Sequence, residues 1–104
     1  MYTMMQVCRE LDMTYQTLKF YCNEGLVPNV KRDHNNRRVF DEKDVKWIKD
    51  LTCLKKCGMS IQEMKKYLEL CLQGEATIVS RKKMLARKQE ELRASIKELE
   101  DSIS

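Results

Sequence analysis

Residues 14–40 read TYQTLKFYCNEGLVPNVKRDHNNRRVF, and this stretch decides the fold. Thr14 is a typical N-cap residue, so a helix is predicted to begin beside it and to end at Gly25, where a left-handed backbone suits glycine. After a proline-containing link, Val30 and the pair Val39–Phe40 are predicted to form two short strands around an asparagine tip. This order of a short helix and a hairpin predicts a winged helix-turn-helix.

Positive charge is concentrated in the hairpin. Residues 14–40 contain five Lys or Arg and two acidic residues, a local balance of +3, whereas the whole chain carries only +4. A helix with polar and aromatic side chains beside a cationic loop suits a duplex, in which phosphates flank a readable groove. The clustering therefore predicts binding to double-stranded DNA through Tyr15, Gln16 and Lys19 on the helix and Lys31, Arg32, Arg37 and Arg38 in the loop.

The composition sets the wider limits. With 104 residues, the chain has room for one small domain and an arm. Its 42% hydrophobic and 35% charged residues fit a folded protein, and no apolar run approaches the roughly twenty residues of a membrane span. Five cysteines without regular spacing argue against a disulfide framework. We therefore expect a cytoplasmic protein without a membrane partner.

Four helices are predicted within residues 1–73. Thr3 precedes the first, whose apolar stripe is Met4, Val7, Cys8 and Leu11. Asp41 is an N-cap candidate for the third, and Ser60 forms a capping-box pattern with Glu63 for the fourth. Gly58 and Gly74 follow the ends of these two helices, as C-terminal glycines commonly do.

Residues 74–104 are predicted to form one long helix without glycine or proline after Gly74. An apolar stripe follows coiled-coil spacing along it, through Ile78, Leu85, Leu92, Ile96, Leu99 and Ile103. Residues 81–88 carry five cations and no acid, and residues 90–101 carry five acids and two cations. Antiparallel pairing with a second copy places opposite charges together, so we expect a homodimer. The alternative is a solvated charged face without a pairing role.

Several motifs together resemble the MerR family of bacterial transcription regulators. They are Tyr2-Thr3-Met4, Thr14-x-x-Thr17-Leu18-Lys19-Phe20-Tyr21, Glu24-Gly25-Leu26-Val27-Pro28, Arg38-Val39-Phe40 and Gly58-Met59-Ser60-Ile61-Gln62-Glu63. The departures are Lys19 in place of an arginine, Cys22 in place of a glutamate, Asp12 in place of a glycine, and Asn36-Arg37 where glycine and an aromatic residue are common. Lys19 and Cys22 bear on affinity or operator preference, and Asn36 and Arg37 alter the tip of the hairpin.

The resemblance implies a homodimer on promoter DNA with an overlong spacer. Such regulators bend and untwist the spacer and so act on RNA polymerase indirectly, with binding energy offsetting the DNA deformation. On this basis we assign base-edge reading to Tyr15, Gln16 and Lys19. Phosphate contacts are assigned to Tyr21, Lys31, Arg32, Arg37 and Arg38, with Thr14 and Thr17 completing the DNA-binding set. The alternatives are a solvated loop for the arginines and a core ring for Tyr21.

Cys53 is the candidate sensor thiol. It lies off the apolar stripe of the third helix, with Lys49 and Lys56 within one helical turn, and nearby cations favour the reactive thiolate. Cys8, Cys57 and Cys71 fall on apolar stripes and are expected in the core, and Cys22 is expected to be exposed. The pattern Asp44-Val45-Lys46-Trp47-Ile48-x-x-x-x-Cys53, with Gly74, Arg81-Lys82 and Leu85-Ala86, resembles the AdhR/NmlR branch. That resemblance implies sensing of electrophiles such as formaldehyde or methylglyoxal.

Other functions are less well supported by the sequence. Cys53 and Cys57 could offer two ligands to a metal, but structural zinc takes four and the single histidine, His34, lies in the hairpin tip. No phosphate loop, Cys-His pair or carboxylate cluster indicates an enzyme, so we expect no catalysis, cofactor or bound metal. The chain as given ends at Ser104, and we expect no separate effector-binding domain. A metal-responsive regulator and a coiled-coil adaptor that binds protein instead of DNA stay as alternatives.

Overall fold

The computed structural model describes residues 1–103, so that Ser104 of the predicted terminal helix lies outside the described part. Two short strands and two helices lead into a third strand and three further helices. The elements are β1 (Tyr2–Thr3), α1 (Met4–Leu11), α2 (Tyr15–Asn23), β2 (Lys31–Arg32), β3 (Arg38–Phe40), α3 (Glu42–Lys56), α4 (Ile61–Leu72), a 3-10 turn (Gly74–Thr77) and α5 (Ile78–Ile103). The predicted mainly α fold, with a hairpin wing and a long C-terminal helix, is confirmed.

Threonine side chains cap both helices of the helix-turn-helix, and the cap at Thr14 was predicted from the sequence. Thr3 and Gln6 form a reciprocal capping box at the start of α1, with hydrogen bonds of 2.8 and 3.2 Å. At the start of α2, Thr14 Oγ1 accepts from the backbone N–H of Thr17 at 3.1 Å. Asp12 links the helices with a left-handed φ of 51°. The local sequence therefore fixes the turn between α1 and α2.

The wing is a three-stranded antiparallel sheet in the order β1-β3-β2. Tyr2 pairs with Phe40, and Lys31 pairs with Val39. The prediction of β3 is confirmed, but the second strand contains Lys31–Arg32 and excludes Val30. β1 was not predicted, because two residues show no alternation and their partners lie far along the chain.

The chain forms two compact units, Met1–Thr52 and Cys53–Ser104. The first unit has its own core, in which Val7, Leu18, Leu26, Phe40, Ile48 and Leu51 have no exposed surface. Trp47 Nε1 donates a 2.7 Å hydrogen bond to the carbonyl of Leu26, which ties α3 to the segment after α2. This packing buries one face of α2 in the core and leaves its other face outside the core.

In the second unit, α4 packs against α5. Ser60 and Glu63 form the predicted capping box of α4, with hydrogen bonds of 3.0 and 3.1 Å. Met64 and Leu68 of α4 are buried. Because α4 packs on α5, the predicted boundary at residue 73 falls inside this unit. The terminal helix also begins differently from the prediction, since Gly74–Thr77 forms a 3-10 turn before α5.

The corner between α4 and α5 is held by side chains. The Thr77 hydroxyl contacts the carbonyl of Leu70 and donates to the carbonyl of Gly74. Arg81 Nε donates to Thr77 Oγ1 at 3.1 Å.

None of the helices within residues 1–103 combines the length and apolarity that crossing a membrane requires.

Candidate nucleic-acid interface

One face of α2 is buried and the other is open. Leu18 and Tyr21 are in the core of the first unit, with 0% and 3% of their surfaces exposed. On the other face Gln16 and Lys19 are exposed, and Tyr15 is 46% exposed. An amphipathic helix held by its apolar face presents these polar and aromatic side chains in a fixed orientation. The predicted base-reading residues are therefore all accessible.

Thr14 and Thr17 act together at the start of α2. Their hydroxyl oxygens are 2.7 Å apart, and Thr14 Oγ1 also accepts from the Thr17 N–H. Because the cap uses these hydroxyls, the structure gives both residues a part in positioning the helix start. Their predicted contacts with DNA are not tested by this geometry.

The tip of the wing is a closed turn. The Asp33 carboxylate accepts the backbone N–H groups of Asn35 and Arg37, each at 2.9 Å. These bonds, first of all the one from Arg37, lower the pKa of Asp33. Asn36 takes a left-handed φ of 61°, and Arg32 Nη1 donates to its carbonyl at 3.1 Å. These hydrogen bonds therefore fix the conformation of the backbone that carries the basic residues of the wing tip.

The wing and α2 line a shared groove. Its volume is about 530 Å³, and Tyr15 lies in its wall together with Arg32, Arg37 and Arg38. Arg38 also donates a 2.6 Å hydrogen bond to Asn23 at the end of α2. An aromatic residue of α2 and three arginines of the wing therefore line one groove, together with Asp33 of the wing tip and Met4 and Met5 of α1. This arrangement can accept a polyanion along the wing while the helix reads an adjacent surface.

Lys31 has intramolecular partners that the sequence analysis missed. Its ammonium lies 2.9 Å from a carboxylate oxygen of Asp41 and 3.3 Å from one of Asp44. These hydrogen bonds, first the one to Asp41, raise the pKa of Lys31. Asp44 is only 5% exposed, so its carboxylate depends on such partners. Part of the hydrogen-bonding capacity of Lys31 is therefore used within the chain, although its side chain is 42% exposed, and its predicted contact with phosphate is not tested by this geometry.

The same cluster caps α3. Asp41 Oδ1 accepts the N–H of Asp44 at 2.8 Å, and Asp44 Oδ2 accepts the N–H of Asp41 at 3.0 Å. The N–H of Asp44 is the main reason that the pKa of Asp41 falls from 3.8 to about 2, and Lys31 adds to the effect. The predicted N-cap at Asp41 is confirmed. The spacing Asp41-x-x-Asp44 is that of a capping box and is the signal that could have revealed the second carboxylate.

Tyr21 occupies the core, which was the alternative considered for it. With 3% of its surface exposed, the ring is enclosed, and burial raises the pKa of its hydroxyl. Its ring centroid lies 6.4 Å from that of Phe20, which is 45% exposed. Only the small accessible remainder of Tyr21 is left to meet a phosphate, so its main role is to hold α2.

The five cysteines are reduced and differ in exposure. Cys8 is buried, Cys22 and Cys71 are half-buried, and Cys53 and Cys57 are exposed. The off-stripe position predicted for Cys53 agrees with its exposure, whereas the expected core position of Cys57 and the expected exposure of Cys22 are wrong. Cys71 was also expected in the core but is only half-buried. Burial raises the pKa of the Cys8 and Cys22 thiols, which keeps them protonated and unreactive near neutral pH.

Side chains that could bind a metal do not gather in the part of the chain that the structure describes. Within residues 1–103, no group of three or more His, Cys, Asp or Glu side chains could hold a metal ion.

The predicted dimerisation stripe is solvent-exposed along α5. Its exposed fractions are Ile78 39%, Leu85 37%, Leu92 36%, Ile96 55%, Leu99 65% and Ile103 87%.

Two family models match the chain over nearly its whole length. The model described as MerR HTH family regulatory protein matches residues 2–71, and the model described as MerR, DNA binding matches residues 45–104. The chain belongs to the MerR family, and it is a MerR-type DNA-binding transcriptional regulator. The family named from the sequence motifs is thereby confirmed.

Two curated relatives are similar to this chain in sequence. An uncharacterized HTH-type transcriptional regulator of Haemophilus influenzae is 36% identical over 98 residues, which are 94% of this chain and 73% of the relative. The HTH-type transcriptional regulator AdhR of Bacillus subtilis is 37% identical over 87 residues, which are 84% of this chain and 62% of AdhR. Both relatives are transcriptional regulators, in agreement with the family.

Solved structures agree in fold. HiNmlR, a MerR family regulator lacking the sensor domain and crystallised bound to promoter DNA, is 34% identical with a TM-score of 0.84, covering 98% of this chain and 77% of HiNmlR. A MerR family transcriptional regulator from Bacillus thuringiensis is 28% identical with a TM-score of 0.81, covering 98% of this chain and 90% of that protein. The likeness extends from the wing through α5.

Proposed function

We propose that this regulator acts as a homodimer that grips promoter DNA with α2 and the wing of each copy. The observation that carries the proposal is the groove that Tyr15 lines together with Arg32, Arg37 and Arg38. HiNmlR was crystallised bound to promoter DNA, which supports promoter DNA as the ligand of this regulator. The family assignment favours this function over a protein-binding adaptor.

The side chains of the proposed interface divide into two roles. Tyr15, Gln16 and Lys19 on α2 read base edges, because a helix enters the major groove and presents its outer face to the bases. Arg32, Arg37 and Arg38 contact phosphates, which fix the orientation of the head on the duplex. Lys31 chiefly holds the wing to the cap of α3.

The dimer acts by deforming its site. Two heads on a promoter with a long spacer bend and untwist the DNA between them, and the contacts of both heads offset the deformation energy. RNA polymerase responds to the altered spacer, so it is an indirect partner. The apolar stripe of α5, exposed in the single chain, supports the pairing of two copies.

Salt-dependent binding tests the interface. Arg37→Ala should weaken binding to DNA from upstream of the regulator's own gene, and the slope of log K against log salt should fall by about 0.9 for one lost phosphate contact. Lys46→Ala removes an exposed cation of α3 outside the groove and is the matched control. Unchanged affinity and slope for Arg37→Ala would place the interface elsewhere.

We further propose that Cys53 is the thiol through which electrophiles such as formaldehyde or methylglyoxal act on the regulator. Cys53 is exposed near the end of α3, and Lys49 and Lys56 lie within a turn of it on the same helix. Sequence likeness to AdhR and HiNmlR supports this assignment. Cys8 and Cys22 are poor candidates because burial raises their pKa values.

Promoter activation under aldehyde stress tests the sensor. Cys53→Ser should abolish the response to formaldehyde while leaving DNA binding intact, and Cys57→Ser, a change at another exposed thiol, should retain it. Mass spectrometry of the treated protein should find the adduct at Cys53. A normal response from the Cys53→Ser protein would rule out this thiol.

A further inference from the structure

A groove of about 480 Å³ lies between α4 and α5 inside the second unit, and we call it the α4–α5 groove. The two helices run antiparallel. Glu63, near the start of α4, contacts Lys88 of α5. The carbonyl of Leu70, near the end of α4, accepts from the Thr77 hydroxyl before α5 begins. Within residues 1–103, the lining includes no member of the apolar stripe proposed for dimerisation, so pairing through that stripe does not use it.

An ion-pair cluster closes one end of the α4–α5 groove. The ammonium of Lys88 lies 3.1 Å from a carboxylate oxygen of Glu63 and 2.9 Å from one of Glu91. The side chain of Lys88 is only 13% exposed, so these three groups form a largely enclosed contact. Both acidic residues of the lining are therefore already bonded within the chain, and this end of the groove does not attract an anion.

Three cations in the middle of the groove have no such partners. Lys66, Lys83 and Arg87 line the groove and are exposed. Among residues 1–103, no carboxylate forms a salt bridge with any of them. Lys83 and Arg87 are four residues apart on α5, where like charges repel each other along a helix face. A bound anion would relieve this repulsion.

Lys66 faces the same part of the groove from α4. It follows Glu63 by one helical turn, and the antiparallel packing places it across from the turn of α5 that precedes Lys88. That turn contains Met84 and Arg87. The positive charges of the two helices therefore converge, and the four cations and two carboxylates of the whole lining sum to +2.

The remaining end of the groove is apolar. Leu70 and Met84 line it and are only half-buried, so part of each side chain is open to the groove. Leu70 lies one helical turn beyond Lys66, which puts an apolar surface directly beside the cations. The volume falls within the range of about 300–1,000 Å³ that is usual for small-molecule sites, which are mostly apolar with a few polar groups that orient the ligand.

We propose that the α4–α5 groove binds a small organic carboxylate with an apolar body. Arg87 offers two parallel N–H donors to the carboxylate, and the ammonium groups of Lys66 and Lys83 add attraction. The apolar body covers Leu70 and Met84. A DNA backbone fits this lining less well, because the carboxylates beside Lys88 would meet its phosphates. This site depends neither on the proposed promoter binding nor on Cys53.

Binding of octanoate tests the site. In the full chain labelled with 13C at the methionine methyl groups, the NMR signal of Met84, assigned with Met84→Leu, should shift saturably as octanoate is added. Octanol lacks the charge and acetate lacks the apolar body, so each should leave this signal nearly unchanged at the same concentration. Met4 and Met5 line the groove beside the wing and should not respond. Saturable shifts at Met4 and Met5 without one at Met84 would overturn the proposal, as would equal shifts with octanol.

Charge variants identify the group that holds the carboxylate. Arg87→Gln should weaken octanoate binding about tenfold, the size of effect expected for one charge-assisted contact. Lys97→Gln removes an exposed cation of α5 outside the groove and should bind octanoate like the unmodified chain. Circular dichroism checks that both variants keep their helices. If Arg87→Gln binds octanoate normally, the proposal fails, and a reduced salt slope of DNA binding in that variant would then assign the cation to DNA.

Discussion

Arg38 of the wing donates a hydrogen bond of 2.6 Å from Nη2 to Oδ1 of Asn23, the last residue of α2. A side-chain contact therefore joins the two elements that line the proposed DNA groove. Arg38 keeps further N–H donors on the same guanidinium, so it can position the wing and contact a phosphate together. Asn23 carries no charge, which allows the two roles to be separated.

Asn23→Ala and Arg38→Ala should weaken DNA binding in different ways. Asn23→Ala removes the contact between wing and helix, and a lost hydrogen bond of about 1 kcal/mol corresponds to roughly fivefold lower affinity with an unchanged salt slope. Arg38→Ala should lower affinity further and reduce the slope by about 0.9. Fluorescence anisotropy over a salt series measures both. A reduced slope for Asn23→Ala would contradict the separation of roles.

Lys31→Met should lower the thermal stability of the protein and should change the salt slope of DNA binding only slightly. The change leaves the buried carboxylate of Asp44 without its cation, whereas little phosphate contact is lost. A decrease in Tm of a few degrees is expected in a domain of this size. Arg37→Met, a change to an exposed cation of the wing, should leave Tm nearly unchanged. Equal Tm values for the two variants would contradict a structural role for Lys31.

Acid should remove the stabilising effect of Asp41. Its pKa is lowered from 3.8 to about 2 in the folded chain, so the ionised carboxylate stabilises the fold above pH 3.8 and loses this effect as the pH falls towards about 2. Asp41→Asn should therefore unfold at a lower temperature than the unmodified chain at neutral pH, and the difference should vanish across that acid range. If the difference in Tm between the two proteins persists as the pH falls to about 2, the ionised carboxylate of Asp41 is not its cause.

Cys57 should be protected from alkylation by dimerisation. The thiol is exposed in the single chain and lies beside Leu85 and Leu92, two members of the α5 stripe that is proposed to pair two copies. Labelling with iodoacetamide, followed by peptide mass spectrometry, should modify Cys57 more slowly in the unmodified dimer than in Leu85→Lys, which is expected to be monomeric because a charge replaces an apolar residue of the stripe. Comparison of the same residue in both proteins removes differences in intrinsic reactivity. Equal rates at Cys57 would mean that the partner does not cover it.

Local signals in the sequence were enough for most of the helices. Side chains at Thr14, Asp41 and Ser60 make the predicted capping bonds, because a cap depends on neighbours three residues away. The turn at Asp12 follows from a residue that tolerates a left-handed backbone. The heptad spacing of α5 was equally visible. Each of these features is decided within about one turn of chain.

The features that escaped prediction depend on distant neighbours. β1 exists because Tyr2 pairs with Phe40, and Lys31 is held by Asp41 and Asp44 after the hairpin has closed. Cys57 fits an apolar stripe in the sequence but is exposed, because α3 ends beside it at Lys56. Sequence reasoning could place the accessible face of α2 and the arginines of the wing. It could not show that Tyr15 and those arginines share a groove, which is a property of the tertiary fold.

Hydroxyl-radical footprinting on DNA from upstream of the regulator's own gene tests the central claim most directly. Two heads that each insert α2 and hold the backbone with the wing should protect two patches on one face of the duplex, separated by about 10.5 base pairs or a multiple of it. Arg37→Ala should weaken both patches equally, and Lys46→Ala should leave them unchanged. A single protected patch, or protection unaffected by Arg37→Ala, would contradict a dimer that binds through the groove between α2 and the wing.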